Sequence, residues 1–384
     1  MRTFTRKEGI YLVIAAMGLI SLAFLLATHY MEGEIYIFLY ERVALVAAAV
    51  VTGTGLIMFA IERFNLHKRK EVLSRDVNLL KVIFVTLSLV ALSFLGGYIY
   101  AFHIYKPEGE NWSIGIYTST SHEPLYFTGT NIDNPVLTKD DITDVEAEFV
   151  ADPFLIYHDN SFHLFFEVLN SKTQKGEIGL ATSSDGFNWA YKGIILSNSY
   201  HLSYPCVFMW NNVYYMVENH GLDKVVLYKA HNFPYKWDYV KILLTGMDFH
   251  EPTIFQYDDT WWLFAQTRIY DTLRLYYSDT PLGPWIEHPE SPVIDDDANI
   301  ARPGGCVVVF DNRIIRYAQD DEPYYGNQVW ALEITELSRE NYEEQVVGEK
   351  PVLKGYDNWN SRGMHHISPC RISEDFWIAS VDGK

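Results

Sequence analysis

Cysteine is nearly missing from this chain: Cys206, Cys306 and Cys370 are the only three in 384 residues, each inside an apolar run. An odd count without ligand spacing excludes a disulfide framework and a thiolate zinc site. It leaves the plain reading of cysteine as a small buried hydrophobe. Charge is missing from three stretches, 9–31, 43–61 and 82–105, which contain no Asp, Glu, Lys or Arg. Tryptophan is missing from the first 110 residues, and all ten lie beyond them. Positive charge is scarce in that second part, with nineteen Lys/Arg against forty Asp/Glu, while the first part holds eleven against nine. A surface so acidic argues against nucleic acid or an anionic lipid face as partner.

The three uncharged stretches each approach the ~20 apolar residues that cross a bilayer. Residues 1–110 therefore read as a membrane anchor of three transmembrane helices. A cleaved signal peptide is the alternative for the first, disfavoured because the run is long and two more follow it. A buried helical hairpin is the alternative for the second, which is short and rich in small residues. Arg2, Arg6 and Lys7 precede the first span, and Arg63, Lys68, Arg69, Lys70, Arg75 and Lys81 separate the second from the third. Basic flanks stay inside. The expectation is a multi-pass protein of the cell membrane with a cytoplasmic N-terminus and an extracellular or periplasmic second part. One span suffices for an anchor, so three invite pairing with another membrane protein.

Beyond residue 110 one pattern recurs: a polar residue, proline, an apolar run, a turn, a second apolar run and a second polar residue. Its first copy is "FVADPFLIYHDNSFHLFFE" (149–167), and the prolines fall at 153, 205, 252, 303 and 369. A period near fifty residues with strand-type segments indicates a propeller. Segments such as "GEIGLATSSDGFNW" and "LRLYYSDTPLGPW" supply the outer strands of each unit, and "SSDGFNW" reads as a blade turn. The fifth copy stops at Lys384, and "WSIGIYTS" with "NPVLT" supplies its missing strands. The expectation is an all-β five-bladed propeller over 111–384, its last blade completed by residues 112–138 so that no edge stays open.

Proline at the head of an inner strand removes a donor where none is needed. The residue before it is expected to be extended. Five heads, Asp152, Tyr204, Glu251, Arg302 and Ser368, thus converge on one mouth. The returning strands add Glu167, Glu218, Gln266, Gln319 and Asp382, and His201, His250, His365 and His366 lie alongside. The competing structural readings are an Asp152–Arg302 bridge, a Glu251–histidine bond and hydrogen-bonded rim histidines. Arg302 beside Gly304 and Gly305 is otherwise suited to clamp a substrate carboxylate or phosphate. Trp261 and Trp262, as strand neighbours, are expected not to share the core.

"ADPFL" with "EP" resembles the five-bladed glycoside hydrolases of families 43, 32 and 68. The runs "FVADPFL", "HLSYPCVF", "NFPYKW", "GPW", "ARPGG", "YAQDD", "YYGNQVW" and "HH" followed by "VDG" resemble the N-terminal domain of glucosamine inositolphosphorylceramide transferases. In plant members of the latter a separate glycosyltransferase domain follows; here the sequence ends at Lys384, and transferase activity is not carried over. The hydrolase resemblance implies Asp152 as base or nucleophile and Glu251 as general acid. Its third carboxylate is replaced by Tyr204, with Glu218 or His201 as stand-ins. Glycosidic cleavage needs such a pair of carboxyl groups with separated roles. The other ring members are expected to contact substrate. No cofactor is expected, although the same resemblance leaves open a central calcium linked to a histidine of the last blade. The expected ligand is a cell-envelope glycan or glycolipid. It would be handled by a glycoside hydrolase or transglycosylase-like enzyme, or held by a non-catalytic module assisting a separate glycosyltransferase.

Overall fold

The computed structural model describes residues 111–220, 223–267 and 271–384. The three spans expected at 9–31, 43–61 and 82–105 lie outside the described residues. Among the described residues, no helix is long and apolar enough to cross a membrane.

Strand β1 is Ser113–Ser119. Blade one follows as β2–β5: Ala147–His158, Ser161–Asn170, Lys175–Ser183 and Ala190–Leu196. Blade two is β6–β9: Cys206–Trp210, Val213–His220, Lys224–Asn232 and Lys236–Thr245. Blade three is β10–β13: His250–Tyr257, Thr260–Thr267, Thr272–Ser278 and Ile286–Glu287. Blade four contains β14 (Arg302–Pro303), β15 (Val308–Phe310), β16 (Arg313–Asp320), β17 (Gln328–Leu337), β18 (Tyr342–Val347) and β19 (Leu353–Lys354). Blade five has β20 (Ile367–Ser373) and β21 (Phe376–Gly383), and β1 pairs antiparallel with β21. The inner strands touch in turn, β2 with β6, β6 with β10, β10 with β14, and β20 with β2. A parallel bridge from Gly305 to Ile367 links blades four and five and closes the ring. These are the five blades read from the proline period.

The last blade is completed by the strand at the start of the described residues. Strand β1 is its third strand, and beyond it Leu137 bridges Ile114 and Thr128 bridges Thr118, so the fourth position holds two isolated bridges rather than a full strand.

Four inner hairpins turn on two residues that are both left-handed: Asp159–Asn160, Asn211–Asn212, Asp258–Asp259 and Asp311–Asn312. That is the type I′ geometry that matches strand twist, and Asp and Asn tolerate it. The core is divided into five apolar clusters, one between each pair of neighbouring blades. Every sheet is therefore buried on both faces, which is why its strands are continuous apolar runs. This overturns the expectation for Trp261 and Trp262. Both are buried, Trp261 against blade two and Trp262 against blade four.

A second correction concerns the residues before proline. Asp152, Tyr204 and Glu251 are left-handed, with φ of 52°, 52° and 49°, and not extended. The strand registers slip at Asp152–Pro153 and Glu251–Pro252, between Ala151 and Phe154 and between His250 and Thr253. These are bulges, and a bulge re-aims its side chain. Non-glycine residues held there cost of order 1–3 kcal/mol each and cluster at functional sites.

Candidate functional site

Two bulged residues on inner strands of blades one and three, Asp152 and Glu251, carry carboxyls into the site. Asp152 is buried, and its Oδ1 has no hydrogen-bond partner. Burial, followed by the charges of Glu251, Glu167 and Asp382, pushes its carboxyl well above the usual carboxylate range. Asp382, at the end of β21, is the opposite case. Its Oδ1 accepts hydrogen bonds from His365 Nδ1 at 2.7 Å, His366 N at 3.0 Å and His365 N at 3.2 Å. Its Oδ2 accepts the Asp152 N–H at 3.0 Å. Burial alone would raise Asp382, but His365 and these donors hold it below the ordinary value. Asp382 thus anchors the Asp152 backbone and orients His365, whose Nε2 stands 3.7 Å from Asp152 Oδ1.

Glu251 does not bond a histidine, and Arg302 does not bridge to Asp152. The two pair with each other, Arg302 Nη2 donating to Glu251 Oε1 at 2.6 Å, with both side chains buried. Glu251 Oε2 has no partner. Arg302 also lies over the Tyr325 ring at 4.8 Å. Glu167, returning on β3, meets His201 Nε2 at 3.1 Å, while His201 Nδ1 accepts the Gly176 N–H at 3.0 Å. Burial opposes a charge on His201, but Glu167 outweighs it and the imidazole is raised. The Gly176 bond makes Nδ1 the acceptor and leaves the ring proton on Nε2, 3.1 Å from Glu167 Oε1. Glu218 is fully buried and adds to the field on His201. His250 lies 3.2 Å from Asp248, and burial, with Arg302 next, lowers it.

Of the remaining expected site residues, His366 stays beside Asp152, its Nδ1 3.7 Å from Asp152 Oδ1, while Tyr204, Gln266, Gln319 and Ser368 are committed elsewhere. Tyr204 is fully buried, and its hydroxyl accepts the Gly305 N–H at 2.8 Å and lies 2.8 Å from Thr253 Oγ1. Its ring meets Phe154 and His366 edge to face at 4.9 and 5.2 Å. Tyr204 and His366 therefore form, with Phe154, an aromatic plug beneath the mouth. Burial takes His366 down to about 3, so it is neutral. Gly305, at φ 132°, serves this plug through its backbone, and a Cβ there would lie 1.8 Å from Ile367 O. Gln319 donates to Pro303 O at 2.8 Å and Gln266 to Thr267 O at 3.2 Å, so both tie backbone at strand ends. Ser368 Oγ accepts the Leu155 N–H at 3.1 Å, joining blades five and one.

Three members of the site were not singled out from sequence. Asp321 is buried, its Oδ1 accepts the Gly326 N–H at 2.9 Å and its Oδ2 has no partner. Burial raises it, and Arg302, His365 and Glu251 act on it. The second Asp of "YAQDD" was its signal. Trp112 stacks on His365 at 3.9 Å, and Tyr325 meets His365 edge to face at 5.3 Å.

The donor atoms of Asp152, His365 and Asp382 lie within 4.8 Å of one another, the spacing of a metal site. Calcium takes six to eight oxygen ligands. Every oxygen of Asp382 already accepts hydrogen bonds from the chain. Asp152 Oδ1 and His365 Nε2 are the atoms of this group left without a hydrogen bond.

Residues 106–384 match the family described as "Glucosamine inositolphosphorylceramide transferase 1, N-terminal". Among curated relatives, the chain is 35% identical over 302 residues to glucosamine inositolphosphorylceramide transferase 1 of Oryza sativa subsp. japonica, covering 72% of this chain and 40% of that protein. It is 32% identical over 297 residues to the protein of that name from Arabidopsis thaliana, covering 71% and 39%. The chain thus spans about two fifths of the length of these relatives. Among solved structures, it is similar to the α-L-arabinofuranosidase PaAbf62A of Podospora anserina, with TM-score 0.47, 12% identity, and coverage of 72% of this chain and 98% of that one. It is also similar to Zg3597, a family 117 glycoside hydrolase of Zobellia galactanivorans, with TM-score 0.44, 16% identity, and coverage of 72% and 91%.

Proposed function

The chain belongs to the glucosamine inositolphosphorylceramide transferase N-terminal family, and from that membership we propose that its propeller is a binding module for a cell-envelope glycan or glycolipid, acting beside a glycosyltransferase. The three uncharged stretches would hold it at the membrane, with the N-terminus cytoplasmic and the funnel facing outward. They would also offer a face to a partner membrane protein. The relatives' name points to a glycosylated inositol phospholipid as the ligand class.

One observation carries the binding reading over the catalytic one. Glu251, the general acid of the hydrolase reading, is engaged by Arg302, which donates to its Oε1 at 2.6 Å with both side chains buried. The position of a third carboxylate is held by Tyr204, whose hydroxyl is committed to Gly305. A different observation favours a glycoside hydrolase or transglycosylase as the second reading. Burial and the neighbouring carboxyls push Asp152 well above the usual carboxylate range, as a general acid requires, and the Glu167 carboxyl beside His201 offers a second group for the base. The roles assigned from the family pattern would then be reversed.

The test uses the full chain in lipid nanodiscs. Binding of headgroup oligosaccharides from glycosylated inositol phospholipids is measured by calorimetry, and release of reducing sugar is followed in parallel. The expected result is binding without turnover. Turnover that Asp152→Asn abolishes would establish the second reading, and neither binding nor turnover would sink both.

A further inference from the structure

We propose that the face opposite the mouth docks a partner protein, through a segment that carries apolar side chains flanked by Lys or Arg. The inner strands begin at the mouth, so the turns of the five inner hairpins gather on the other side of the ring. Two residues before each turn stands one equivalent position: Tyr157, Met209, Gln256, Val309 and Ile372. All five are exposed. Four are large and apolar, and Tyr157, Met209, Val309 and Ile372 leave 44%, 54%, 43% and 37% of their surface to solvent. Exposed hydrophobics scattered singly are ordinary. These recur at one place in the repeat, and equivalent positions on inner strands that touch in turn encircle the axis.

The turns supply the charge around this apolar ring. Asp159, Asp258, Asp259, Asp311, Glu374 and Asp375 lie in them, and no turn holds Lys or Arg. The nearby cations are already engaged. His122 Nε2 meets Asp311 at 2.6 Å, its Nδ1 meets Asp375 at 3.4 Å, and Arg371 lies 3.5 Å from Asp311. Among the described residues no cation pairs with Asp258, Asp259 or Glu374. Beside Ile372 the surface dips into an open depression of about 680 Å³, lined by His122, Asp311, Arg371, Ser373 and Glu374, with room for an anchoring side chain. A second copy would set acid against acid, and an anionic bilayer would be repelled. A basic segment with an apolar centre answers both features, burying the ring and meeting the acids at its rim. The inference does not use the mouth.

The test titrates the full chain, in phosphatidylcholine nanodiscs, with the fluorescent peptide Lys-Lys-Leu-Trp-Leu-Lys-Lys. One control peptide has Glu for every Lys, and another has Ser for Leu and Trp. Anisotropy reads the affinities, and a benzophenone-bearing copy is cross-linked by light and mapped by mass spectrometry. Cross-links are expected within 157–160, 209–212, 256–259, 309–312 or 372–375. Met209→Ser is expected to weaken binding about tenfold, the return on burying one such side chain. Asp258→Asn combined with Asp259→Asn keeps the turn chemistry and is expected to weaken it about threefold and flatten its salt dependence. Each variant serves should the other fail to fold. The oligosaccharide titration reports on the mouth alone, so the two readings fail separately. Equal affinity for the Lys and Glu peptides, affinity indifferent to Leu and Trp, or cross-links at the mouth would overturn the inference. Self-association of the chain, or sedimentation with phosphatidylserine vesicles, that Met209→Ser abolishes would put another occupant on this face and overturn it equally.

Discussion

Asp152 and Asp382 share a hydrogen-bonded corner and are driven in opposite directions, because one faces other carboxylates and the other faces donors. For Asp152 the folded-state value lies above the unfolded one, near ~3.9. The folded protein therefore holds that proton more tightly. The associated stability is fully present below the unfolded value and is lost as pH rises through the folded value. Asp152→Asn removes this loss. It is expected to unfold at a higher urea concentration than the parent at pH 7, with the gap closing toward pH 4. An unchanged gap across that range would show that Asp152 is not held protonated by its surroundings. Much of the site was legible at this scale, because a proline follows each of Asp152, Glu251 and Arg302. What the residue types did not reveal was partnership. Whether Arg302 meets Asp152 or Glu251 depends on which blade the bulge aims it at. Asp321 follows its strand's end, outside the proline pattern, and so escaped notice.

Between residue and ring stands the hairpin. The Asp/Asn pairs at the four inner turns are there for their backbone, since both residues of a type I′ turn need positive φ. Asn212, at φ 59°, is one of them. Asn212→Val is expected to destabilise the propeller by about 1–2 kcal/mol, as a β-branched residue in the left-handed region does. Asn212→Gly should stay within a few tenths of a kcal/mol of the parent. Urea midpoints check both, and equal midpoints for the two variants would contradict the turn assignment. The hairpins and their spacing could be read from composition alone. The departure from extended geometry before the prolines could not, because the rule for pre-proline residues is a local preference. Here a tertiary requirement, turning Asp152 and Glu251 toward the axis, outweighs it.

At the scale of the molecule, stability depends on closure. Strand β1 is supplied from the far end of the domain, and Ile116 on it is fully buried between blades five and one. Ile116→Ala is expected to cost about 2–5 kcal/mol. It should lower the unfolding midpoint seen by tryptophan fluorescence and by far-UV circular dichroism together. Separate transitions would mean that the blades do not rely on this strand to unfold as one ring. The sequence by itself determined the number of blades, their order and the strand that closes the last, because apolar periodicity and turn chemistry are local and repeat. It also determined which residues head the inner strands. Only the tertiary structure decided which of those heads meet. Tyr204 and Glu251 hold equivalent places in the repeat, yet one plugs the axis and the other pairs with Arg302. Equivalent positions arrive at the axis from different blades and meet different neighbours there, and those neighbours set charge, proton and partner.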